Sequence, residues 1–202
     1  MSINFNYWQA RIGKPLIFAL CLLPFLLLSF RLLNNQLGAN PIEVFTRSNG
    51  EWGLRFLLIT LSITPLKNIL KQSWPMQYRR MLGLFAFFYV FIHLSSYLVL
   101  DQFFDWQEIW ADIIKRPYIT IGMSAFVLLI PLAVTSNRYM MKRLGRNWLR
   151  LHKLVYLIAI LAVVHFFLLV KADFYWPTVY AVLLGLLFTF RLRKYCSLPL
   201  GK

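Results

Sequence analysis

The chain carries three histidines, His93, His152 and His165, and each lies in or beside a long apolar run. "LGLFAFFYVFIHLSSYLVL" holds the first, and "LRLHKLVYLIAILAVVHF" holds the other two, thirteen residues apart. An imidazole in hydrocarbon is costly unless something coordinates it or bonds to it. Its chemistry in such a place is metal ligation, proton relay or a hydrogen bond to a neighbouring helix. The choice depends on the elements that carry the rings and on the depth at which each ring sits.

Of the 202 residues, 59% are hydrophobic, 17% aromatic and only 14% charged, and the mean hydropathy is +0.61. Soluble domains average about 25% charged residues, so this is a membrane composition. Crossing about 30 Å of hydrocarbon takes about 20 mostly apolar residues. Six stretches qualify: 15–33, 52–70, 81–100, 118–134, 151–170 and 176–190. Strand-like alternation is absent, as is any repeat of about 20–50 residues, so a helical bundle is favoured over a barrel. The expectation is an all-α integral membrane bundle of six transmembrane helices, forming one domain over 1–202. Arg11 and Lys14 precede the first stretch, but its apolar core is longer than that of a signal peptide, and it is read as a helix.

The net charge of +15 raises the question of a nucleic-acid partner, and its distribution answers it. All seven acids fall in alternate connections: Glu43 and Glu51, then Asp101, Asp105, Glu108 and Asp112, then Asp173. Most of the 22 Lys and Arg lie at the opposite ends, notably within 67–80, 138–153 and 191–202. An excess of Lys and Arg marks the cytoplasmic side, which puts both termini there. The basic charge then needs no nucleic acid, and lipid is the surrounding partner. Trp8, Trp52, Trp74, Trp106, Trp110, Trp148 and Trp176 all fall at or near span ends, as in an interfacial belt. Cys21 and Cys196 are far apart and suggest neither a disulfide nor zinc. Pro24, Pro65 and Pro131 are expected to kink or end helices, and Thr60 and Thr64 to bond between helices.

The third and fifth spans run in the same direction, so depth can be counted from their basic ends. His93 lies thirteen residues past Arg80 and His165 fifteen past Arg150, or roughly 20 and 22 Å at 1.5 Å per residue. His152 lies close to the inner interface. Two imidazoles at one depth on two helices can ligate a haem iron from opposite sides, with the bundle supplying apolar walls. The plainer alternative is a hydrogen bond from each ring to a neighbouring helix, and for His152 hydration at the interface suffices. On a straight helix His152 and His165 would point about 140° apart, so they cannot clamp one cofactor together. Arg55, near the depth of His93, either pairs with a haem propionate or snorkels to the interface.

Several segments carry a family resemblance: "LGANPIEVFTRSNGEWGLRFLLITLSITPL" (37–66), "RRMLGLFAFFYVFIHLSSYLVLD" (79–101), "RPYITIGM" (116–123), "PLAVTS" (131–136) and "RLGRNWLRLHKLVYLIAILAVVHF" (143–166). Together they resemble the MsrQ (YedZ) family, part of the ferric-reductase-like transmembrane group, over most of 37–170. The resemblance implies a haem-b electron-transfer subunit of the bacterial inner membrane. It implies electrons from the quinone pool, one or two haems, FMN, and delivery to a periplasmic molybdenum-containing methionine sulfoxide reductase, MsrP. That partner would hold the catalytic centre and this chain the electron path. The wider group uses two histidines on each of two helices; His152 and His165 match one pair and His93 the outer member of the other. The missing inner position falls at Arg79 or Arg80, and arginine is no ordinary iron ligand.

The basic cluster at 79–81 and 143–153 suits a quinone head or a flavin phosphate, or is ordinary positive-inside charge. No glycine-rich phosphate loop is present. Only twelve residues follow the last span, so a nicotinamide domain is not expected within the chain. Two competing readings remain: a histidine-relay transporter, disfavoured because no acid is expected mid-span, and a cofactor-free membrane anchor.

Overall fold

The computed structural model describes residues 12–196. The expectations for Trp8, Arg11 and Lys202, and for the side chains of Arg193, Lys194 and Cys196, lie outside the described residues. In chain order the elements are α1 (Lys14–Leu33), α2 (Pro41–Leu70), α3 (Arg79–Ser96), α4 (Trp106–Lys115), α5 (Pro117–Val134), α6 (Arg138–Leu144), α7 (Arg146–His152), α8 (Leu154–Leu169) and α9 (Tyr175–Cys196). A 3-10 turn (Trp74–Gln77) precedes α3, and a π-helical turn (Tyr97–Asp101) follows it. No strand occurs among the described residues, and six helical segments are long and apolar enough to cross a membrane.

Local chemistry sets the helix starts. Prolines open α1, α2 and α5, where the missing N–H is not needed. Asp105 caps α4 by accepting from the amides of Gln107 and Glu108 at 3.0 and 3.2 Å.

The bundle is built on two intimate helix pairs, α2 with α3 and α5 with α8. Small residues permit the close approach. A Cβ on Gly53 of α2 would stand 2.6 Å from Val90 Cγ2 of α3, and Ala86 and Ala159 are almost wholly buried. Tyr89, fully buried, ties α1 to this core. Its hydroxyl donates to the Cys21 carbonyl at 2.7 Å and accepts from the Phe25 amide at 3.0 Å, the pair that brackets Pro24. Pro24 lies inside α1, which continues past it to Leu33, and the Tyr89 hydroxyl engages the backbone on either side of it. Cys21 is a free, buried thiol.

Several boundaries differ from the sequence reading. The second span begins at Pro41, eleven residues before its expected start. Residues 43–51 are polar, which read as an aqueous loop; in the fold, Glu43, Thr46, Arg47, Gly50 and Glu51 line an internal cavity instead. Trp52 consequently leaves the interfacial belt and packs on Phe56 and Tyr89, with ring centres 5.8 and 6.3 Å away. The stretch between the third and fourth spans contains the amphipathic helix α4. Its Ile109 and Asp112 are buried, while Trp106, Trp110 and Ile114 form an exposed apolar stripe. Thr60 bonds the Phe56 carbonyl of its own helix at 2.7 Å and so does not join helices, whereas Thr64 accepts from Arg191 of α9 at 3.5 Å. The fifth span has a tight turn at Lys153 between α7 and α8, with hydrogen bonds three residues apart, so the straight-helix angle between His152 and His165 does not apply.

Candidate functional site

The fold brings His93 and His165 together. Their ring centres are 6.2 Å apart with planes at 77°. Each projects from one helix of a pair, α3 for His93 and α8 for His165, into a cavity of about 490 Å³ bounded by α2, α3, α5 and α8 and open at its rim. That size lies within the about 300–1,000 Å³ typical of ligand pockets. Its walls are apolar in depth (Leu54, Leu57, Phe126, Leu129, Ile158), and its rim carries Glu43, Arg47, Asp101 and Arg116.

Each ring is held in the same way. Nδ1 of His93 lies 2.8 Å from the Thr46 carbonyl oxygen, and Nδ1 of His165 lies 2.6 Å from that of Tyr118. A carbonyl only accepts, so Nδ1 carries the proton in both rings and Nε2 keeps its lone pair. Among the described residues neither Nε2 has a hydrogen-bond partner. This is the arrangement of a metal-ligating histidine, whose second nitrogen is fixed by a backbone acceptor. Metal–nitrogen bonds of about 2 Å, plus the offset from nitrogen to ring centre, put two imidazoles on opposite sides of one metal about 6 Å apart. The observed separation matches. Among the described residues no group of three or more His, Cys, Asp or Glu could hold a metal. A metal held by these two rings needs its remaining ligands from elsewhere, and the four nitrogens of a haem supply that set.

The plain alternative, a hydrogen bond from each ring to a neighbouring helix, is realised at Nδ1 but accounts for neither the free nitrogens nor the cavity between the rings. A proton relay is also poorly served. Glu51, near the His93 level, is paired on both sides, with Arg47 at 3.5 Å and Arg55 at 2.9 Å. Because α2 starts earlier than the sequence suggested, that helix holds Glu43 in its first turn and, further along, Glu51. Glu51 nevertheless arrives with its own counter-ions.

Arg55 does not line the cavity. It donates to the Tyr180 hydroxyl of α9 at 2.8 Å and to Glu51, and stacks over Trp52 at 4.8 Å. Arg47 and Arg116 stand at the rim instead, each about half exposed. Asp112, on the buried side of α4, holds Arg116 at 3.1 Å and also accepts from the Tyr97 hydroxyl. The sequence reading passed over both rim arginines, since one sat in an assumed loop and the other beside a span end.

His152 lies apart from the cavity. It stacks on Trp148 with ring centres 3.9 Å apart, and its Nδ1 meets the Trp148 carbonyl at 3.1 Å. Its Nε2 is buried with no partner among the described residues. Arg79 is half-buried near the start of α3 and Arg80 is exposed. The structure therefore joins two of the three histidines and leaves the third with a tryptophan.

The chain matches the family described as "Ferric reductase like transmembrane component" over residues 16–163. It is 55% identical to the "Protein-methionine-sulfoxide reductase heme-binding subunit MsrQ" of Rhodospirillum rubrum, covering 90% of this chain and 88% of that one. Proteins of the same description from Caulobacter vibrioides and Herminiimonas arsenicoxydans are 50% and 48% identical. They cover 87% and 91% of this chain, and 84% and 85% of their own lengths. On that identity and coverage, the chain belongs to the ferric-reductase-like transmembrane family and, within it, to the MsrQ family.

Proposed function

We propose that the chain is a haem-b electron-transfer subunit of the bacterial inner membrane. It takes electrons from quinol and passes them to a periplasmic methionine sulfoxide reductase of the MsrP type. The observation that carries this reading is the His93–His165 pair, 6.2 Å apart across a cavity with both Nδ1 atoms engaged. Haem supplies a one-electron carrier when bound. His93 and His165 would hold its iron through Nε2, and Arg47 and Arg116 would meet its carboxylates at the rim. The apolar walls exclude water from around the two rings and leave the rim as the polar way out. The relatives' printed description, a haem-binding subunit of a methionine sulfoxide reductase, supports the assignment.

The rim faces the periplasm, in keeping with the segregation of acids and bases along the chain. Reporter fusions after residues 38, 108 and 173 should report that side, and fusions after 73 and 145 the cytoplasm; two reversed reporters would discard the topology. The inner end, where the segments of Arg79 and Arg80 and of Arg143, Arg146, Arg150 and His152 lie, is where a quinol or FMN would be received. In reconstituted membranes quinol should reduce the haem, and MsrP with a methionine sulfoxide substrate should reoxidise it. Haem that quinol reduces but that MsrP and substrate never reoxidise would remove the assigned partner and leave the carrier in place.

A further inference from the structure

The two histidine cradles are copies of one another in sequence register. His93 and Thr46 are 47 residues apart, and so are His165 and Tyr118. Each acceptor carbonyl lies four residues before a glycine: Thr46 before Gly50 in α2, and Tyr118 before Gly122 in α5. Both glycines touch the ring. A Cβ on Gly50 would stand 2.9 Å from His93 Nδ1 and 3.1 Å from its Cε1. On Gly122 it would stand 2.8 Å from His165 Nδ1 and 2.9 Å from its Cε1. Thr46, Gly50 and His93 thus map onto Tyr118, Gly122 and His165 by one shift of 72 residues. The same shift maps Arg80 onto His152, so the inner histidine has no counterpart in the other half.

Neither glycine has a positive φ, so turn geometry does not require it. Inside a helix glycine is less favourable than alanine, so its presence at both equivalent positions points to packing. Each ring occupies the space a Cβ would take. It cannot retreat from one without lengthening the Nδ1–carbonyl bond that fixes its orientation.

We infer that Gly50 and Gly122 are positioning residues: equivalent slots, one in each half of an internally repeated bundle, that set how the two imidazoles face a shared iron. The inference rests on the haem reading and adds to it the residues that orient the ligands. Orientation of axial imidazoles governs the low-spin spectrum and the potential of the iron, and removal of such outer contacts typically lowers metal affinity about 10–100-fold.

The test uses the full-length protein in detergent, reading haem retention, midpoint potential and the low-spin electron paramagnetic resonance signal. Gly50→Ala and Gly122→Ala should each lower haem retention about tenfold and shift the signal of the haem that remains. An alanine control separates positioning from a general effect of the substitution. Gly83, in α3 and outside the cavity lining, meets only Thr60 Cγ2 at 3.6 Å, so Gly83→Ala should leave all three readouts unchanged. Should the slot variants fail to fold, pulsed resonance on the wild-type protein decides: two closely matched axial imidazoles are expected from two matched cradles. Wild-type haem retention and signal in Gly50→Ala and Gly122→Ala would overturn the inference, as would two clearly unlike imidazoles in the wild type. Wild-type protein that takes up no haem would instead sink the haem reading itself.

Discussion

The outer histidine pair and the inner histidine are held in opposite ways. His93 and His165 each give Nδ1 to a backbone carbonyl of a neighbouring helix, lie against a glycine, and face each other across a cavity. His152 bonds the carbonyl of its own helical turn and is covered by the indole of Trp148. The same residue type at similar hydrophobicity thus serves two ends. All three rings keep Nε2 without a partner among the described residues, but two of them line one cavity and are fixed by backbone of neighbouring helices, while the third is fixed by its own turn under an indole. Residue type and depth alone do not separate the two cases. The origin of the Nδ1 acceptor, a neighbouring helix or the ring's own, does.

The largest effect expected on this contrast is on electron transfer. His93→Ala and His165→Ala should each abolish quinol-driven reduction of methionine sulfoxide through MsrP, while the soluble reductase keeps its activity with an artificial donor. His152→Ala should retain outer haem with an unchanged low-spin spectrum; complete haem loss in a folded His152→Ala protein would erase the distinction between the two regions. A smaller effect belongs to the rim. Arg47→Gln or Arg116→Gln should weaken haem retention by about ten- to a hundredfold, corresponding to loss of a charge-assisted hydrogen bond of about 1.5–3 kcal/mol. Haem dissociation kinetics would measure it, and Arg55→Gln, outside the cavity, serves as the comparison. The smallest is Asp112→Asn, which loosens Arg116 without removing it. A change of only a few-fold in dissociation rate is expected, with the Tyr97 contact keeping α4 in place. An Asp112→Asn effect as large as that of Arg116→Gln would mean the carboxylate, not the guanidinium, governs the rim.

Much of the bundle was legible because hydrocarbon imposes a coarse rule. A span must be long and apolar, and five of the six expected spans start within about five residues of observed helices. The exception is instructive. Glu43, Arg47 and Glu51 made the head of α2 look aqueous, since polarity along a sequence reports contact with something polar and does not distinguish water from an internal cavity. That one misplacement moved Trp52 to the interface, put Glu51 outside the span and hid Arg47 from the site. α4 escaped notice because a ten-residue amphipathic helix is too short for a span, although Trp106, Trp110 and Ile114 sit at helical spacing.

At the site, the meeting of His93 and His165 was readable from matched depth, which needs only helix rise and a charged boundary. Gly50 and Gly122 were not noticed, though a signal existed: glycine forty-three residues before histidine occurs at both rings. A search for repeats of about 20–50 residues cannot see a shift of 72. Arg55 illustrates the reverse. Depth placed it near the rings, but depth carries no direction around the helix axis, and its side chain turns to Tyr180 and Glu51.

The central claim is that His93 and His165 act on one and the same iron, and a double-mutant comparison of haem content tests it most directly. Ligands of one metal act as a unit, so their removals do not add. His93→Ala, His165→Ala and the double variant should lose the same low-spin haem to the same extent, with the double variant no worse than either single. Losses that add, each single variant keeping about half of the low-spin haem and the double variant none, would place the two histidines on separate irons and contradict the account.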